Sequence, residues 1–125
     1  MSVDILLKEI MDANRDVVAA LFMEDGELTA WRGRDDVALP PDDKVKDLLF
    51  HRFLINALLG TRKEYVGKVH FNLTRYDLID IVHFGWFSAE KEVILVVMMS
   101  KSANTLEEIE KLQTLITRWK SMSET

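Results

Sequence analysis

The sequence contains no cysteine, two prolines, five glycines and no long apolar run. The absence of cysteine excludes disulfides, thiolate metal sites and thiol nucleophiles, and it indicates a reducing compartment. The longest strongly apolar strip, Val93 to Met99, has the length of a strand, whereas a helix that crosses a bilayer needs about 20 apolar residues. The N-terminus carries an acid and no basic region before its first apolar residues. We therefore expect no signal peptide, no membrane span and a cytoplasmic location.

The glycines are scattered, and none belongs to a Walker-type or Gly-x-Gly-x-x-Gly loop, so nucleotide binding has no support in the sequence. The paired acids at Asp35-Asp36 and Asp42-Asp43 fall in segments that resemble a loop and the first turn of a helix. Acids in such places are usually solvated or interact with the helix dipole, and no base or nucleophile is tied to these. We expect no enzyme, no cofactor and no catalytic or metal-binding residues.

Hydrophobic periodicity divides the 125 residues into helices and strands of one domain that spans residues 1–125. Asp25-Gly26 between two apolar runs predicts a hairpin, and Thr105 with Glu108 is spaced as a helix capping box. The predicted elements are a helix at 4–14, strands at 17–23 and 28–32, a helix at 42–59, strands at 68–74, 78–87 and 93–99, and a last helix from 105. The order α-β-β-α-β-β-β-α predicts an α/β sandwich in which a five-stranded antiparallel sheet has helices on both faces.

The predicted middle helix is apolar on two sides. Ten of the fifteen residues from Val45 to Leu59 are apolar, and they do not form one stripe. One group contains Leu49, Phe50, Phe53 and Ala57, and the nearly opposite group contains Leu48, Ile55 and Leu59. A helix on one face of a sheet buries only one such group, so the other group needs a second surface.

A second copy of the chain is the simplest surface of this kind. The predicted strand 68–74 alternates polar and apolar residues, and pairing two such edge strands across a twofold axis would cover their exposed backbone groups. We therefore predict a homodimer. The predicted interface residues are Leu48, Arg52, Ile55, Leu59, Lys68, His70 and Asn72.

Two histidines form a candidate pair. If Tyr76-Asp77 is a two-residue turn, His70 lies directly opposite His83, about 5 Å away at Cβ. Such a pair could hold a metal or respond to pH. Two ordinary strand histidines remain the favoured interpretation.

Charge is distributed unevenly along the chain, whose formal net charge is −5. The segment from Lys44 to His70 carries six basic residues against two acids, a local charge of +4. This segment could dock an acidic protein or phosphate, although a solvated helix end is the favoured interpretation. The overall negative charge argues against a general nucleic-acid binder.

Several short motifs resemble the roadblock family of dynein light chains and GTPase regulators, and in particular small uncharacterised archaeal roadblock-like proteins. The motifs are Val18-Ala19-Ala20-Leu21 before the Asp25-Gly26 turn, Arg62-Lys63-Glu64, Val66-Gly67-Lys68-Val69 and Thr74-Arg75-Tyr76. The resemblance implies a profilin-like sheet and a homodimer formed by the middle helix and the adjacent strand. It also implies a small Ras-like GTPase as a partner, since many members of the family contact one.

These observations favour a non-enzymatic dimeric adaptor or regulator that binds another protein. The alternative is a ligand-sensing module of the PAS or GAF kind, which would need a sizeable cavity between sheet and helices. Binding of nucleic acid or phosphate through residues 44–70 is a weaker alternative, and it would show a steep dependence on salt.

Overall fold

The computed structural model describes residues 2–34, 42–60, 63–101 and 104–123. The elements are α1 (Val3–Ala13), β1 (Val17–Glu24), β2 (Glu27–Gly33), α2 (Asp42–Gly60), α3 (Lys63–Val66), β3 (Asn72–Arg75), β4 (Ile79–Ser88), β5 (Lys91–Ser100) and α4 (Thr105–Ser123). The predicted order is confirmed, and the short helix α3 is added to it. The five strands form one antiparallel sheet in the order β2-β1-β5-β4-β3, with β2 and β3 at its edges.

Helices cover both faces of this sheet, as the sequence predicts. On one face α1 and α4 enclose the larger core cluster, in which Leu112 and Trp119 of α4 meet Leu6 and Leu7 of α1. On the other face α2 encloses a smaller cluster with the alternate residues of β1, β4 and β5. The strands at the centre of the sheet are therefore buried on both sides, which explains their continuous apolar runs.

The first hairpin is the turn that the sequence predicts. Asp25 and Gly26 have φ angles of 50° and 84°, the left-handed values that a two-residue hairpin turn requires. The Asp25 carboxylate also accepts a hydrogen bond of 2.9 Å from the backbone N–H of Glu92. The turn is thereby tied to β5 as well as to its own strands.

The turn between β3 and β4 differs from the prediction. The backbone N–H of Tyr76 donates to the carbonyl of Ile79 at 2.9 Å, and Arg75 pairs with Asp80. Tyr76 thus faces Ile79 across the turn, and the two turn residues are Asp77 and Leu78 instead of Tyr76 and Asp77. Arg75 makes two 2.8 Å hydrogen bonds to the buried Asp80 carboxylate, through Nε and Nη2, and these favour the observed register.

The residues predicted to begin the third strand do not form one. Val66 ends α3, and residues 67–71 belong to neither a helix nor a strand. The strand predicted at 68–74 is therefore wrong in its first half, and β3 begins at Asn72. Gly67, with a φ angle of 89°, lies where the backbone leaves α3.

The predicted capping box at the start of α4 has a different role. The Thr105 hydroxyl donates to the Asp80 carboxylate at 3.2 Å and accepts from Arg75 Nη2 at 3.1 Å. It therefore helps to satisfy a carboxylate that is fully buried. Thr105 consequently anchors α4 to β4.

Candidate functional site: the two sides of helix α2

The outer side of α2 carries a row of exposed apolar side chains. Phe50, Leu54 and Leu58 lie four residues apart and so follow one side of the helix, with exposed fractions of 59%, 42% and 67%. Ala57 is also exposed. We call Phe50, Leu54, Ala57 and Leu58 the outer row. Single exposed apolar residues are common on protein surfaces, but a continuous row on one helix marks an interaction surface.

Further exposed apolar side chains follow α2 in the chain. Tyr65 and Val66 of α3 are 86% and 80% exposed. Together with the outer row they form a run of large exposed apolar residues between 50 and 66.

The inner side of α2 combines apolar and polar packing. Val45 and Leu49 are buried in the cluster that α2 encloses, and Arg52, one turn further, is only 2% exposed. The Arg52 guanidinium donates from Nη1 to Thr74 Oγ1 at 2.9 Å and to Asn72 Oδ1 at 3.4 Å. Its Nη2 donates to the Tyr76 hydroxyl at 3.1 Å. This charged side chain therefore connects α2 to the edge strand β3.

One turn further along α2, Asn56 forms a second polar contact with the sheet. Its amide nitrogen donates to Glu92 Oε1 at 3.1 Å. The same side chain lies directly over Gly85, where a Cβ atom would come within 2.6 Å of Asn56 Oδ1. The sequence predicts either a bulge or close packing for a glycine inside this strand, and close packing is found.

His83 lies on the α2 side of the sheet, opposite Asn72. It is 1% exposed, and neither ring nitrogen has a hydrogen-bond partner among the described residues. Burial, with a further contribution from the nearby charge of Arg52, lowers the pKa of His83 to about 4. The imidazole is therefore neutral at pH 7.

The predicted pairing of His70 with His83 is wrong. The turn lies one residue further along the chain than predicted, which shifts the register of β3 and β4 by two residues and places Asn72 opposite His83. His70 lies outside β3 and is exposed. Within the described part of the chain, no group of three His, Cys, Asp or Glu residues could hold a metal ion.

The structure separates the predicted interface residues. Arg52 is buried beneath α2, and Leu48 packs against the core on the same side. Ile55 and Asn72 are half-buried, and Lys68 is exposed in the segment that precedes β3. The Leu59 side chain lies outside the described residues. Whether these residues contact a partner stays a prediction.

The sequence did not single out Leu54 or Leu58, and it grouped Phe50 with the buried Leu49. The sequence feature that bears on these residues is the large number of apolar residues in the helix. It predicts a second surface, but it does not show on which side of the helix that surface lies. The rotation of α2 is fixed by Arg52 and Asn56, whose polar partners on the sheet come from distant parts of the chain.

No helix in the described ranges is long and apolar enough to cross a membrane. The cleft lined by Glu9, Arg118, Trp119 and Met122, about 350 Å³ in volume, lies between α1 and α4. It is therefore on the opposite side of the sheet from α2.

Comparison with known proteins gives matches at the level of structure. No family model matches the sequence, and no curated protein matches it. A crystal structure of a Roadblock/LC7 domain from Streptomyces avermitilis covers 100% of both chains, with a TM-score of 0.73 and 14% identity. The gliding protein MglB from Thermus thermophilus covers 92% of this chain and 85% of its own, with a TM-score of 0.69 and 11% identity.

MglC from Myxococcus xanthus also matches, with a TM-score of 0.64 and 14% identity over 98% of this chain and 99% of its own. At these identities the matches establish the fold alone. The chain has the fold of Roadblock/LC7 domains and of MglB and MglC, as the sequence resemblance implied. An archaeal source stays a prediction.

Proposed function

We propose that this chain is a non-enzymatic regulatory adaptor that forms a homodimer through the outer side of α2. The observation that carries the proposal is the outer row, in which Phe50 and Leu54 are exposed, whereas Val45, Leu49 and Arg52 on the inner side are buried. A twofold axis across the helix would place the outer row of one copy against that of the other. Burial of these side chains then supplies the main favourable term for association.

The fold supports self-association. One of the matching structures, with a TM-score of 0.68 and 12% identity, is described as MglB with a tetrameric arrangement. The edge strand β3 adjoins α2 through Arg52. Its outward backbone groups are a second surface that another copy could satisfy by strand pairing.

We further propose that the dimer acts on a small Ras-like GTPase. The support for this step is the resemblance of the sequence motifs to the roadblock family, together with the shared fold. A GTPase would bind the dimer through a surface that self-association leaves accessible. Binding that depends on whether GDP or a GTP analogue is loaded, measured with Ras-like GTPases from the same genome, would support this step. No binding in either state would remove it.

The dimer is tested by solution mass. We expect light scattering across a dilution series to give twice the mass of one chain for the wild type. Leu54→Asp should raise the dimer dissociation constant by at least about 100-fold, because it places a charge from each copy in the centre of an apolar interface. Circular dichroism and thermal unfolding should show that the monomer is still folded, since Leu54 is partly exposed on the single chain.

Leu106→Asp is the matched control. Leu106 is 62% exposed on α4, which lies on the other face of the sheet, so the same substitution should leave the mass unchanged. A wild type that is monomeric at all concentrations would contradict the proposal. Loss of the dimer in Leu106→Asp but not in Leu54→Asp would place the interface on α4 instead.

A further inference from the structure

The buried charge of Arg52 has no counterion among the described residues. Its three hydrogen bonds go to an amide oxygen and two hydroxyls, all of them neutral. A guanidinium has five N–H donors, and the Nε–H of Arg52 is buried without a partner. A buried charge without an opposite charge is costly, so such groups are usually paired.

Arg75 shows how the same side chain is satisfied elsewhere in the molecule. Its Nε and Nη2 each donate to one oxygen of the Asp80 carboxylate at 2.8 Å. This edge of a guanidinium matches the two oxygens of a carboxylate or phosphate. In Arg52, the corresponding Nε has no partner and Nη2 donates only to the Tyr76 hydroxyl. Arg52 therefore lacks the bidentate anion that Arg75 has.

His83 adds a second unsatisfied group beside Arg52. Asn72 accepts from Arg52 and lies directly opposite His83 across β3 and β4, so both side chains adjoin the same asparagine. A neutral imidazole has one N–H donor, and in His83 both ring nitrogens are buried without a partner among the described residues. Burial is the main cause of the low pKa of His83, and the nearby charge of Arg52 lowers it further.

We propose that Arg52 and His83 bind a small oxyanion of the phosphate or carboxylate class between α2 and the β3–β4 edge of the sheet. Two of its oxygens accept from Nε and Nη2 of Arg52, and His83 donates to it through a ring N–H. Tyr76, which is 47% exposed, forms the solvent-facing end of this cluster. The local charge of +4 between Lys44 and His70 favours the approach of an anion.

The proposal is tested by thermal unfolding of the full chain in phosphate and in chloride, at equal ionic strength and pH 7. At ten times its dissociation constant, phosphate should raise the Tm of the wild type by about 5 °C, and at higher concentrations the Tm should rise with the logarithm of the phosphate concentration, as expected for one site. Acetate serves as the carboxylate probe. In Arg52→Met this rise should disappear, because the variant keeps the length of the side chain without its donors.

Arg32→Met is the matched control. Arg32 lies exposed on β2, and its replacement removes the same charge, so the rise in Tm should remain. Phosphate also stabilises proteins generally by exclusion from their surface. An equal rise in the wild type, Arg52→Met and Arg32→Met would therefore overturn the proposal.

Titration of the wild type followed by NMR does not depend on the folding of a variant. The Nε–H resonance of Arg52 and the ring resonances of His83 should shift together and saturate with phosphate. No saturable shift with phosphate or acetate would overturn the proposal. The Leu54→Asp monomer should give the same shifts as the wild type, so that failure of this site and failure of the proposed dimer can be told apart.

A carboxylate from a second copy would give a different result. Arg52→Met would then weaken the dimer in anion-free buffer, and the wild-type dimer would show no saturable response to phosphate or acetate. That outcome would reject a site for a free anion.

Discussion

The two faces of the sheet are built differently. On one face, α4 buries Ile109, Leu112, Ile116 and Trp119 against the sheet and α1. On the other face, α2 is as long as α4, yet its fully buried apolar residues among those described are Val45 and Leu49. Beyond Leu49, Phe53 packs half-buried against the same cluster, and Arg52 and Asn56 add polar contacts with the sheet. The α1/α4 face is therefore an apolar core, whereas the α2 face combines apolar and polar contacts over the second half of that helix.

The two faces therefore also differ in how many of their apolar residues are buried in the core. The α1/α4 face uses its apolar residues for folding, and Phe22, Trp86 and Trp119 pack edge to face there. The α2 face uses fewer of them and leaves Phe50 and Leu54 exposed. These exposed residues are the basis of the proposed dimer interface.

Truncation of one leucine on each face tests the comparison most strongly. Leu112→Ala on α4 should lower the free energy of unfolding by about 3–4 kcal/mol, and Leu49→Ala on α2 by about 2 kcal/mol. Both side chains are almost fully buried. The larger loss is expected on α4, because the larger cluster leaves less room for the helix to settle into the cavity. Urea unfolding of both variants at one protein concentration measures the difference.

Equal losses would contradict this comparison. A larger loss for Leu49→Ala would show that the α2 face supplies as much stability as the opposite face, and the division between folding and binding would no longer hold. Each measurement is best repeated in the Leu54→Asp background, where dissociation of a dimer does not contribute.

The two faces should also respond to pH in opposite directions. The folded chain holds His83 neutral by lowering its pKa from 6.5 to about 4, so the unfolded chain binds more protons between these values. The contribution of His83 to the free energy of unfolding is therefore fully present above pH 6.5 and is lost as the pH falls towards 4. The loss should be about 3 kcal/mol, at about 1.4 kcal/mol for each pH unit.

On the opposite face, burial raises the pKa of Glu108 from 4.5 to about 7, with further contributions from a hydrogen bond to Asp16 and the charge of Asp16. The folded chain therefore binds more protons than the unfolded chain between these values. The contribution of Glu108 to the free energy of unfolding is therefore fully present below pH 4.5 and is lost as the pH rises through 7.

Unfolding of two variants from pH 4 to pH 8, in buffers without phosphate or carboxylates, separates these effects. His83→Gln should be less sensitive to acid than the wild type, and Glu108→Gln should lose less stability between pH 4.5 and 7. Parallel profiles for the wild type and both variants would show that neither group titrates as the structure indicates.

The sequence predicts the fold well because its strongest signals are local. Asp25-Gly26 specifies a turn by backbone conformation, and the apolar run from Val93 to Met99 has the length of a strand. The surplus of apolar residues on α2 indicates that some of them are not buried by the sheet, and Phe50, Leu54 and Leu58 are exposed. These features depend on neighbouring residues, so they can be recognised without knowledge of tertiary contacts.

The details of the candidate site depend on contacts between distant residues. Arg52 is a residue type usually found at the surface, and its burial follows only from Asn72, Thr74 and Tyr76 on another part of the chain. The register of β3 and β4 likewise follows from Arg75 and its partner on β4. An apolar pattern that surrounds a helix does not specify its rotation, so the outward residues could not be identified from the sequence.

The central claim is that the outer row of α2 meets its twofold copy, and the lack of cysteine allows a direct test. A single cysteine is introduced by Leu54→Cys at the middle of the row, or by Leu106→Cys as the control, and mild oxidation is followed by non-reducing electrophoresis. We predict a rapidly formed cross-linked dimer for Leu54→Cys, since residues near a twofold axis come within disulfide distance of each other. Leu106→Cys should remain monomeric on the gel. Efficient cross-linking through Leu106→Cys, with none through Leu54→Cys, would contradict the account.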